Sequence, residues 1–495
     1  MINTILHSDE ITVWWDKQWE LPDGVCYRLI LNGNEIATTQ KTHFSFTELS
    51  PETSYEVKVE RVDGEKTAEI LGIVHLTTPK AKKRLDVTEF GATGDGETTD
   101  TEAIQRTIDA CGADECVYFP AGIYMSGALN LHSDMELYLE EGAILQGTAK
   151  VDDYLPRRLS RFEGLEMMCY SSLLNMGTLD HTAGPNCRNI VIRGGGAILG
   201  GGVEHCNAVI ESERERLKDF LAQNADFVKT CENDRTVPGR ARPRLINISN
   251  CENVVIANLT MGYAASWNVH FIYSRDIVTY GCKIVSQGVW NGDGWDPDSS
   301  ENCVIFGTEF KTHDNSIAIK SGKNPEGNII NRPCVGIRIF DCHGHNCMAL
   351  GSEMSGGISE VYVWDCDFAD ARFPLGISIK VTPKRGGYMR NVRIRNCRFA
   401  SLKLRCVPFN DDGEPAGTMS QVEDFLFQNI EITGGPGDEK GNSEILLLAG
   451  LDGEENHFRR FTFDGLRIHS RPDGKNQQLL FKNMKELTFK NISFI

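Results

Sequence analysis

Residues 336–344, 360–368 and 391–399 read GIRIFDCHG, EVYVWDCDF and NVRIRNCRF. Each stretch alternates apolar residues with others, continues with Asn or Asp, and then has a cysteine. Related stretches recur between residues 253 and 494. The position after the turn residue falls at Cys342, Cys366, Cys397, Ile430, Leu466 and Ile492, at intervals of 24, 31, 33, 36 and 26 residues. Strand-like units at such periods, without helices between them, indicate a solenoid of β-coils. We therefore predict a right-handed parallel β-helix.

The repeats also account for many of the cysteines. The chain has 16 cysteines spread over 495 residues, and many occupy the repeated position, where a side chain of a β-helix points inward. Cysteine at such a position acts as a small apolar core residue. No pair of CxxC motifs indicates zinc. We expect reduced, buried thiols, as in a cytoplasmic protein, and no metal or other cofactor.

The β-helix is expected to fill residues 85–495, because residues 1–80 follow a different pattern. There, short alternating strands are separated by turns, one of them at Asn32-Gly33, and predict a small β-sandwich. Leu49-Ser50-Pro51, followed by Tyr55, resembles the fibronectin type III pattern, in which such a tyrosine makes a corner hydrogen bond. This resemblance implies a fibronectin type III-like domain at 1–80 and says nothing about activity. The protein is thus expected to be all-β, with two domains.

The composition excludes several kinds of partner. A formal net charge of −18, from 69 acidic and 51 basic residues, argues against nucleic-acid binding, which needs a basic surface. No apolar run is long enough to span a bilayer, so no membrane partner is expected. The first twenty residues lack a basic segment followed by an apolar one, so a cytoplasmic location is expected unless a secretion signal has been trimmed.

Coil stacking brings distant polar residues together. In a β-helix, residues one period apart lie side by side on one wall, about 4.8 Å apart. Asp293 and Asp314 are 21 residues apart, His345 follows 31 residues later, and Lys380 follows after 35 more. Two adjacent carboxylates repel when both are ionised, so one keeps its proton while the other has lost it. Such a pair supplies the acid and the base that hydrolysis of a glycosidic bond requires.

Asp293 belongs to WNGDGWDPDSS, residues 290–300, which holds two further aspartates. Asp296 is a second candidate for the base. Asp298, within Asp-Pro-Asp-Ser-Ser, is expected to accept hydrogen bonds from the amides of a turn. A calcium loop is disfavoured, because Trp295 stands where an EF-hand pattern has an oxygen ligand.

Four blocks carry a more specific signal: NGDGWDPDSS, THDNSIAIKSG, GHNCMALGSEMSGG and GISIKVTPKRGG, in that order. Together they resemble the signature blocks of glycoside hydrolase family 28, the polygalacturonase family. Residues 242–271, including Trp267 and His270, are similar to that family too. The resemblance covers roughly residues 85–495. It implies a right-handed parallel β-helix that hydrolyses α-linked galacturonides with inversion and without a metal.

The resemblance also implies roles for individual residues. Asp314 matches the first of the family's paired aspartates and would be the general acid, and Asp293 matches the aspartate of its Asn-x-Asp block and would be the base that orients water. His345 matches the histidine of the Gly-His-Gly block. Lys380 matches the lysine of the Arg-Ile-Lys block.

Two positions depart from the family pattern. Asn315 replaces the second paired aspartate, and Ser378 replaces the arginine of Arg-Ile-Lys. A neutral amide can position water but accepts no proton, and loss of the arginine removes a bidentate clamp on a carboxylate. Asp293 would then act as the general base, with Asp296 as the alternative.

The other polar and aromatic residues of these blocks are candidate substrate contacts. They are Asn291, Asp296, Asn315, Lys320, Lys380, Lys384, Arg385, His270, Trp267 and Glu353. The cations among them would bind galacturonate carboxylates, which explains how a chain of net charge −18 accepts a polyanion. The expected partner is a galacturonide oligosaccharide or a pectin fragment.

Two alternatives stay open from the sequence alone. One is a polysaccharide lyase on the same scaffold. The other is a carbohydrate-binding β-helix without activity, for which Asn315 and Ser378 would be eroded catalytic positions. Residues 150–186 and 203–244 exceed what a coil needs and are expected to wall off one end of the groove, which favours exo-action.

Overall fold

The computed structural model describes residues 2–22, 24–64, 66–369, 376–406, 413–434, 444–451, 457–470 and 478–495. The chain divides into two compact units, Met1–Arg84 and Leu85–Ile495. A short strand, Lys83–Asp86, spans the boundary. Within the described ranges, no helix has the length and apolar character needed to cross a lipid bilayer.

The first unit consists of two antiparallel sheets. One sheet joins Ile2–Leu6, Ile11–Trp15 and His43–Phe46, and the other has the order Asn34–Thr39, Cys26–Leu31, Ser54–Asp63 and Lys66–Thr77. Alternate residues form a buried core of Ile11, Val13, Trp15, Tyr27, Leu29, Phe46, Val57 and Val59. The Ser50 amide donates to the Tyr55 hydroxyl at 3.0 Å. The assignment to the fibronectin type III group stays a prediction.

The second unit is the right-handed parallel β-helix that the repeats predict. A typical coil contributes three strands, and each strand pairs in parallel with its counterpart one coil later. The long sheet has two strand positions per coil. Its first position holds Glu115–Phe119, Met135–Leu139, Cys187–Gly194, Cys251–Ala257, Arg275–Tyr280, Val304–Phe306, Cys334–Phe340, Ile358–Trp364, Tyr388–Arg395, Gln421–Ile432, Phe458–Ile468 and Lys485–Phe494.

The second position of the long sheet holds shorter strands. These are Asp95–Thr99, Gly122–Ser126, Ala143–Gly147, Ala197–Leu199, Thr260–Gly262, Lys283–Val285, Glu309–Lys311, His343–Gly344, Asp367–Phe368 and Arg398–Phe399.

The third strand of each coil belongs to a separate sheet, which we call the groove sheet. It consists of Leu129–Leu131, Leu174–Met176, Ile246–Ser249, Val269–Ile272, Trp295–Asp298, Ile317–Ile319, Met348–Leu350, Ile377–Val381, Leu402–Cys406, Glu444–Ala449 and Gln478–Lys482. Trp295 and Ile317 are core residues, so Asp296 and Asp298 point away from the core. The carboxylates of Asp296 and Asp298 therefore lie on the outer face of this sheet.

The turn residue of each repeat explains why the coils form. Its φ lies between 49° and 80° at Asn258, Gly281, Gly307, Asp341, Asp365, Asn396, Asn429, Gly465 and Asn491. Asn, Asp and Gly adopt this left-handed conformation more readily than other residues. The next residue then enters the core, as Ile430 and Leu466 do; Ile492 is their register partner on the last coil, where it is exposed.

Buried aromatic side chains stack on one another across four successive coils of the long sheet. Tyr280, Phe306, Phe340 and Trp364 are buried, and successive ring centroids lie 5.2, 4.9 and 4.4 Å apart in parallel orientation. Such pairs add about 0.5–1.5 kcal/mol each beyond their buried area. All sixteen cysteines are free thiols, and only Cys26, Cys231 and Cys406 are not fully buried. The cysteine repeat therefore serves the core.

The helices lie outside the coil pattern. They are Thr101–Ala110, Gly202–Arg216, Lys218–Gln223, Ala225–Thr230, Thr236–Gly239 and Glu326–Ile330, with a 3₁₀ turn at Val151–Tyr154. Two antiparallel strands, Arg158–Phe162 and Leu165–Cys169, form a hairpin between coils. The hairpin and three of these helices fall within residues 150–186 and 203–244, the two segments that exceed a coil's needs, and a fourth helix, Gly202–Arg216, begins one residue before the second segment.

Candidate active site

A cavity opens beside the groove sheet and gathers most of the predicted site residues. Eight of them line it: Trp267, Asn291, Asp293, Asp314, Asn315, Lys320, Glu353 and Lys380. It encloses about 580 Å³ of space, counting its open mouth. Five further residues complete the lining: Glu163, Glu232, Trp290, Gly351 and Ser352.

Strand register brings the two acids together. Asp293 precedes the strand Trp295–Asp298, and Asp314 precedes Ile317–Ile319 on the next coil. Trp295 is the register partner of Ile317, and the Gly294 amide donates to the Asn315 carbonyl at 2.9 Å. Gly294 has to be glycine, because a Cβ there would lie 2.3 Å from the Ser316 carbonyl oxygen. Asp293 thus faces Asn315, with Asp314 one residue away.

Asp293 is buried in a polar setting. The residue is only 3% exposed. Oδ2 accepts hydrogen bonds from the Asn315 amide nitrogen at 3.2 Å and from Lys320 Nζ at 3.4 Å. Oδ1 has no hydrogen-bond partner among the described residues. Burial raises the pKa of Asp293 to about 6; Lys320 opposes this shift and the Asp314 charge adds to it.

Asp314 and Asn315 have fixed backbones but different exposure. Asp314 is half-buried, and one of its carboxylate oxygens accepts the Asn315 amide N–H at 2.9 Å. The Thr312 hydroxyl donates to the Asp314 carbonyl at 2.7 Å. The Asn315 side-chain oxygen accepts from the Cys347 thiol at 3.0 Å, which leaves its NH₂ facing Asp293. Asn315 therefore donates to Asp293 where an aspartate would repel it.

Lys320 lies between the acidic residues and the ring of Trp267. Its Nζ lies 2.7 Å from Asp296 Oδ2 and 3.6 Å from the centre of the Trp267 ring. Burial works against the charged lysine, but Asp296, Asp293 and Glu353 together raise its pKa. Asp296 is fully buried and does not line the cavity. Burial raises the pKa of Asp296 well above its usual value, against the opposing effect of Lys320.

Asp298 and His270 lie behind the cavity wall. Asp298 is fully buried and accepts from Arg161 Nη1 at 2.8 Å, and this guanidinium outweighs burial and lowers the pKa of Asp298. The turn-amide partner that the sequence predicts for Asp298 is thus replaced by an arginine 137 residues away. His270 Nε2 is 3.5 Å from Asp298, and burial lowers the pKa of His270 to about 3. His270 also packs edge-on against Trp267 at 4.8 Å.

Three other predicted site residues lie outside the cavity lining. His345 is exposed, and its amide donates to the Phe310 carbonyl at 3.1 Å. Arg385 is fully buried; its Nη1 donates to the Asn324 side-chain oxygen at 2.7 Å. Lys384 is half-buried. The fully buried Ser378, which stands where the family has arginine, adjoins Lys403 on the next coil.

Asn291 lines the cavity but already has a partner. Arg242 is fully buried and donates to the Asn291 side-chain oxygen and to the Trp290 carbonyl, both at 2.7 Å. Its Nε donates to the Gly239 carbonyl at 2.7 Å. Arg242 therefore ties the loop that carries Asp293 to the helical segment before it.

Glu163 and Glu232 were missed from the sequence because they lie in the two added segments. Glu163 is at the tip of the hairpin, and Glu232 follows the helix Ala225–Thr230. Partial burial raises the pKa of Glu232, and the charges of Glu163 and Asp314 add to the shift. The only sequence signal was the surplus length of these segments. Among the described residues, no group of three or more His, Cys, Asp or Glu could hold a metal ion.

Comparison with known proteins identifies the family of this arrangement. The model of glycosyl hydrolases family 28 matches residues 180–488, and the model of rhamnogalacturonase A/epimerase, pectate lyase-like proteins matches residues 85–149. The exo-poly-alpha-D-galacturonosidase of Dickeya chrysanthemi is 28% identical over 469 residues, covering 89% of this chain and 76% of that protein.

Two solved structures share the fold. The family 28 exopolygalacturonase of Yersinia enterocolitica superposes with a TM-score of 0.82 at 22% identity, covering 99% of this chain and 98% of that one. The hyperthermoactive exopolygalacturonase from Thermotoga maritima superposes with a TM-score of 0.67 at 23% identity, covering 83% of this chain and 91% of that one. At these sequence identities the similarity shows a shared fold and nothing further.

Proposed function

The chain belongs to the glycosyl hydrolases of family 28, and on that premise we propose that it hydrolyses galacturonic-acid-containing oligosaccharides from a chain end. One observation carries the proposal. Asp293 and Asp314, on adjoining coils, line one cavity that also contains Lys320 and Lys380. Two carboxylates supply proton transfer at a glycosidic bond, and the lysines supply positive charge for a sugar acid.

The chemistry assigned to the acids is an inverting displacement. Asp314 protonates the glycosidic oxygen as the bond to the anomeric carbon breaks. Asp293 removes a proton from the water that attacks this carbon from the opposite face. Asn315 hydrogen-bonds to Asp293 Oδ2 and holds that carboxylate in place, while the buried Oδ1 has no partner among the described residues.

The carboxylate of the sugar is assigned to the lysine side of the cavity. Lys320 is already bonded to Asp296, so its charge is partly neutralised before any substrate binds. Lys380 lies two coils further along the groove sheet, where its neighbour Gly351 has no side chain to cover it. We assign the contact with the galacturonate carboxylate to Lys380 and Lys320, both of which line the cavity.

The assignment of exo-action rests on two cavity residues that come from the segments added between the coils. Glu163 comes from the hairpin and Glu232 from the helical segment, and both line the cavity next to the acids. A groove blocked by these segments admits the end of an oligosaccharide and not its middle. The Dickeya relative is named as an exo-acting enzyme, which agrees with this assignment.

The alternatives from the sequence have less support. The match to pectate lyase-like proteins ends at residue 149, before Asp293 and Asp314. A binding protein without activity is disfavoured because the family 28 match spans Asp293 and Asp314, and the Dickeya relative is named for an enzyme activity.

Product analysis tests the proposal. Trigalacturonate and longer oligomers are incubated with the protein, and products are separated by anion-exchange chromatography. We expect galacturonic acid monomer from the first time point, with reducing ends and no new ultraviolet absorbance. Mixed oligomers at early times would contradict exo-action, and unsaturated products would show a lyase.

The cytoplasmic location expected from the sequence is also part of the proposal. Sixteen free thiols, mostly buried, suit a reducing compartment, where the protein would process imported fragments. Cell fractionation with an antibody against the protein tests this location; recovery of the intact protein outside the cell would contradict it.

A further inference from the structure

The hairpin Arg158–Cys169 is fixed to the β-helix at consecutive positions around its tip. Fully buried Arg161 donates to Asp298 at 2.8 Å. Phe162 stacks on Trp267 with ring centroids 4.6 Å apart and planes 11° from parallel. The Gly164 carbonyl accepts from the Lys323 amide at 3.0 Å. Glu163 is the residue between these anchors, so its position is set by the coils that carry the site.

The tip itself is a two-residue turn of a specific kind. Phe162 and Leu165 are register partners, and the residues between them have φ of 46° at Glu163 and 79° at Gly164. Two left-handed residues make the tight type I′ turn of a β-hairpin. Asn and Asp are common at its first position, whereas glutamate gains nothing there for the backbone. The turn geometry alone does not explain the choice of Glu163.

Electrostatics do not explain it either. Glu163 is 7% exposed and lines a cavity that already contains Asp293, Asp314 and Glu353. Its Oε2 accepts from Arg240 Nε at 2.9 Å, which offsets the burial of its charge. The chain thus supplies a buried arginine to hold one more carboxylate in an acidic cavity. A carboxylate held in that way is a hydrogen-bond acceptor for a ligand.

Unpartnered polar atoms in the same cavity indicate what kind of ligand fits. Ser352 is 2% exposed, and its hydroxyl has no hydrogen-bond partner in the part of the chain that the structure describes. Asp293 Oδ1 is in the same condition. Buried polar groups in proteins are nearly always paired, so these atoms await partners from a bound molecule. A sugar, with several hydroxyls on one ring, supplies both donors and acceptors.

We propose that Glu163 accepts a hydrogen bond from the free hydroxyl that only the terminal, non-reducing sugar of an oligosaccharide has, and so recognises the chain end. This inference rests on the proposed function and names the residue that makes it exo-specific. In an internal sugar the same oxygen carries the next residue and cannot donate. A site built to bond a substrate hydroxyl discriminates strongly against an analogue without it, because its own polar group is then left unpaired.

The test compares two substrates and three variants. The substrates are trigalacturonate and the same trisaccharide with that terminal hydroxyl replaced by hydrogen. The variants are Glu163→Gln, Glu163→Asp and, as a matched control, Glu215→Gln, which removes an exposed glutamate that does not line the cavity. The measurements are kcat/KM for hydrolysis and the melting temperature of each variant.

We expect the parent and Glu215→Gln to prefer the intact trisaccharide by at least about 100-fold in kcat/KM. Glu163→Gln should lose about 10- to 100-fold on the intact substrate and little on the deoxy substrate, so the preference shrinks. The kcat/KM of Glu163→Asp on the intact substrate should lie between that of the parent and that of Glu163→Gln. Melting temperatures close to that of the parent exclude misfolding as the cause.

Two results would overturn the inference: an undiminished preference in Glu163→Gln, or a parent enzyme that has no preference. Failure of the proposed function gives a different result, the absence of hydrolysis of either substrate by the parent. In that case calorimetric binding of both trisaccharides to the parent and to Glu163→Gln decides the inference, because equal loss of affinity for both sugars contradicts it.

Discussion

At the scale of single residues, the aspartates of residues 290–300 carry their charges in three settings. Asp293 lines a cavity, with one oxygen bonded and the other buried without a partner among the described residues. Asp296 lies beneath it as the counter-ion of Lys320. Asp298 forms a buried pair with Arg161, which belongs to the hairpin. The stretch contains three carboxylates because each has a separate partner: Asp293 serves the active site, Asp296 neutralises Lys320, and Asp298 pairs with the hairpin.

The raised pKa of Asp293 predicts an effect on stability. Because its folded-state pKa is about 6 and its ordinary value is 3.8, folding favours the protonated form. Its contribution to stability is present in full below pH 3.8 and is lost as the pH rises through 6. Asp293→Asn should therefore have a higher melting temperature than the parent at pH 7, with the difference vanishing near pH 4. A less stable variant at pH 7 would contradict this.

The same shift predicts the pH dependence of activity. A base must be ionised in the free enzyme, so kcat/KM should fall as the pH drops through about 6, with the slope of one proton. Initial rates on trigalacturonate at low substrate concentration, between pH 4 and pH 8, measure this. A rate that instead falls as the pH rises through 6 would make Asp293 the proton donor.

Asp298 gives a contrasting prediction. Asp298→Asn leaves the fully buried Arg161 guanidinium without its counter-ion, which should lower the free energy of unfolding by about 3–5 kcal/mol. Denaturant unfolding measures the loss. Asp226→Asn is the control, because Asp226 forms an exposed pair with Lys229 whose removal should cost at most about 0.5 kcal/mol. Equal losses in the two variants would contradict the assigned role.

Residue roles were only partly accessible from the sequence. Coil spacing alone placed Asp293, Asp314 and Lys380 around one cavity, because strand register carries sequence distance into space. Spacing placed His345 there too, but His345 is exposed; Arg385, a candidate contact from its sequence block, is bonded to Asn324 inside the protein. Spacing fixes which coil a residue is on; the direction of its side chain depends on the bend of each loop.

At the scale of elements, the hairpin is the part of the site that depends on one turn. Gly164 has a φ of 79°, and a Cβ there would lie 2.6 Å from the Lys323 nitrogen and 2.7 Å from the Lys323 Cβ. These atoms belong to the loop that follows Lys320. The tip can approach this loop only without a side chain at residue 164.

Gly164→Ala should therefore displace the tip of the hairpin. We expect kcat/KM on trigalacturonate to fall at least tenfold, and the free energy of unfolding to fall by about 1–3 kcal/mol, because the turn is strained and one close contact is lost. Gly184→Ala is the matched control, since a Cβ there meets nothing within 4 Å. An active, equally stable Gly164→Ala variant would show that the tip contributes nothing to the site.

The hairpin also marks the limit of sequence reasoning about elements. The repeated strands were predictable because each turn needs Asn, Asp or Gly and each following residue must fit the core. The hairpin has no repeat, and its partners Asp298, Trp267 and Lys323 are all more than 100 residues away in the sequence. Its surplus length was visible, but its docking place was not.

At the scale of the whole molecule, the β-helix converts regular stacking into an active site. Coils with a continuous buried core hold the groove sheet rigidly, so loops at its edge can bring two acids to one place. Segments added between coils then close the groove and supply Glu163 and Glu232. The scaffold provides the acid pair, and the added segments provide the chain-end specificity.

The most direct test of this account follows the first product by proton NMR. Trigalacturonate is mixed with the parent, with Asp293→Asn and with Asp314→Asn, and spectra are collected before the free sugar can change its anomeric form. The account predicts β-configured galacturonic acid monomer as the first product of the parent, and rates about 10²–10⁴-fold lower in both variants. An α-configured first product, or an Asp314→Asn variant as active as the parent, would contradict the claim that these two acids cleave one bond with inversion.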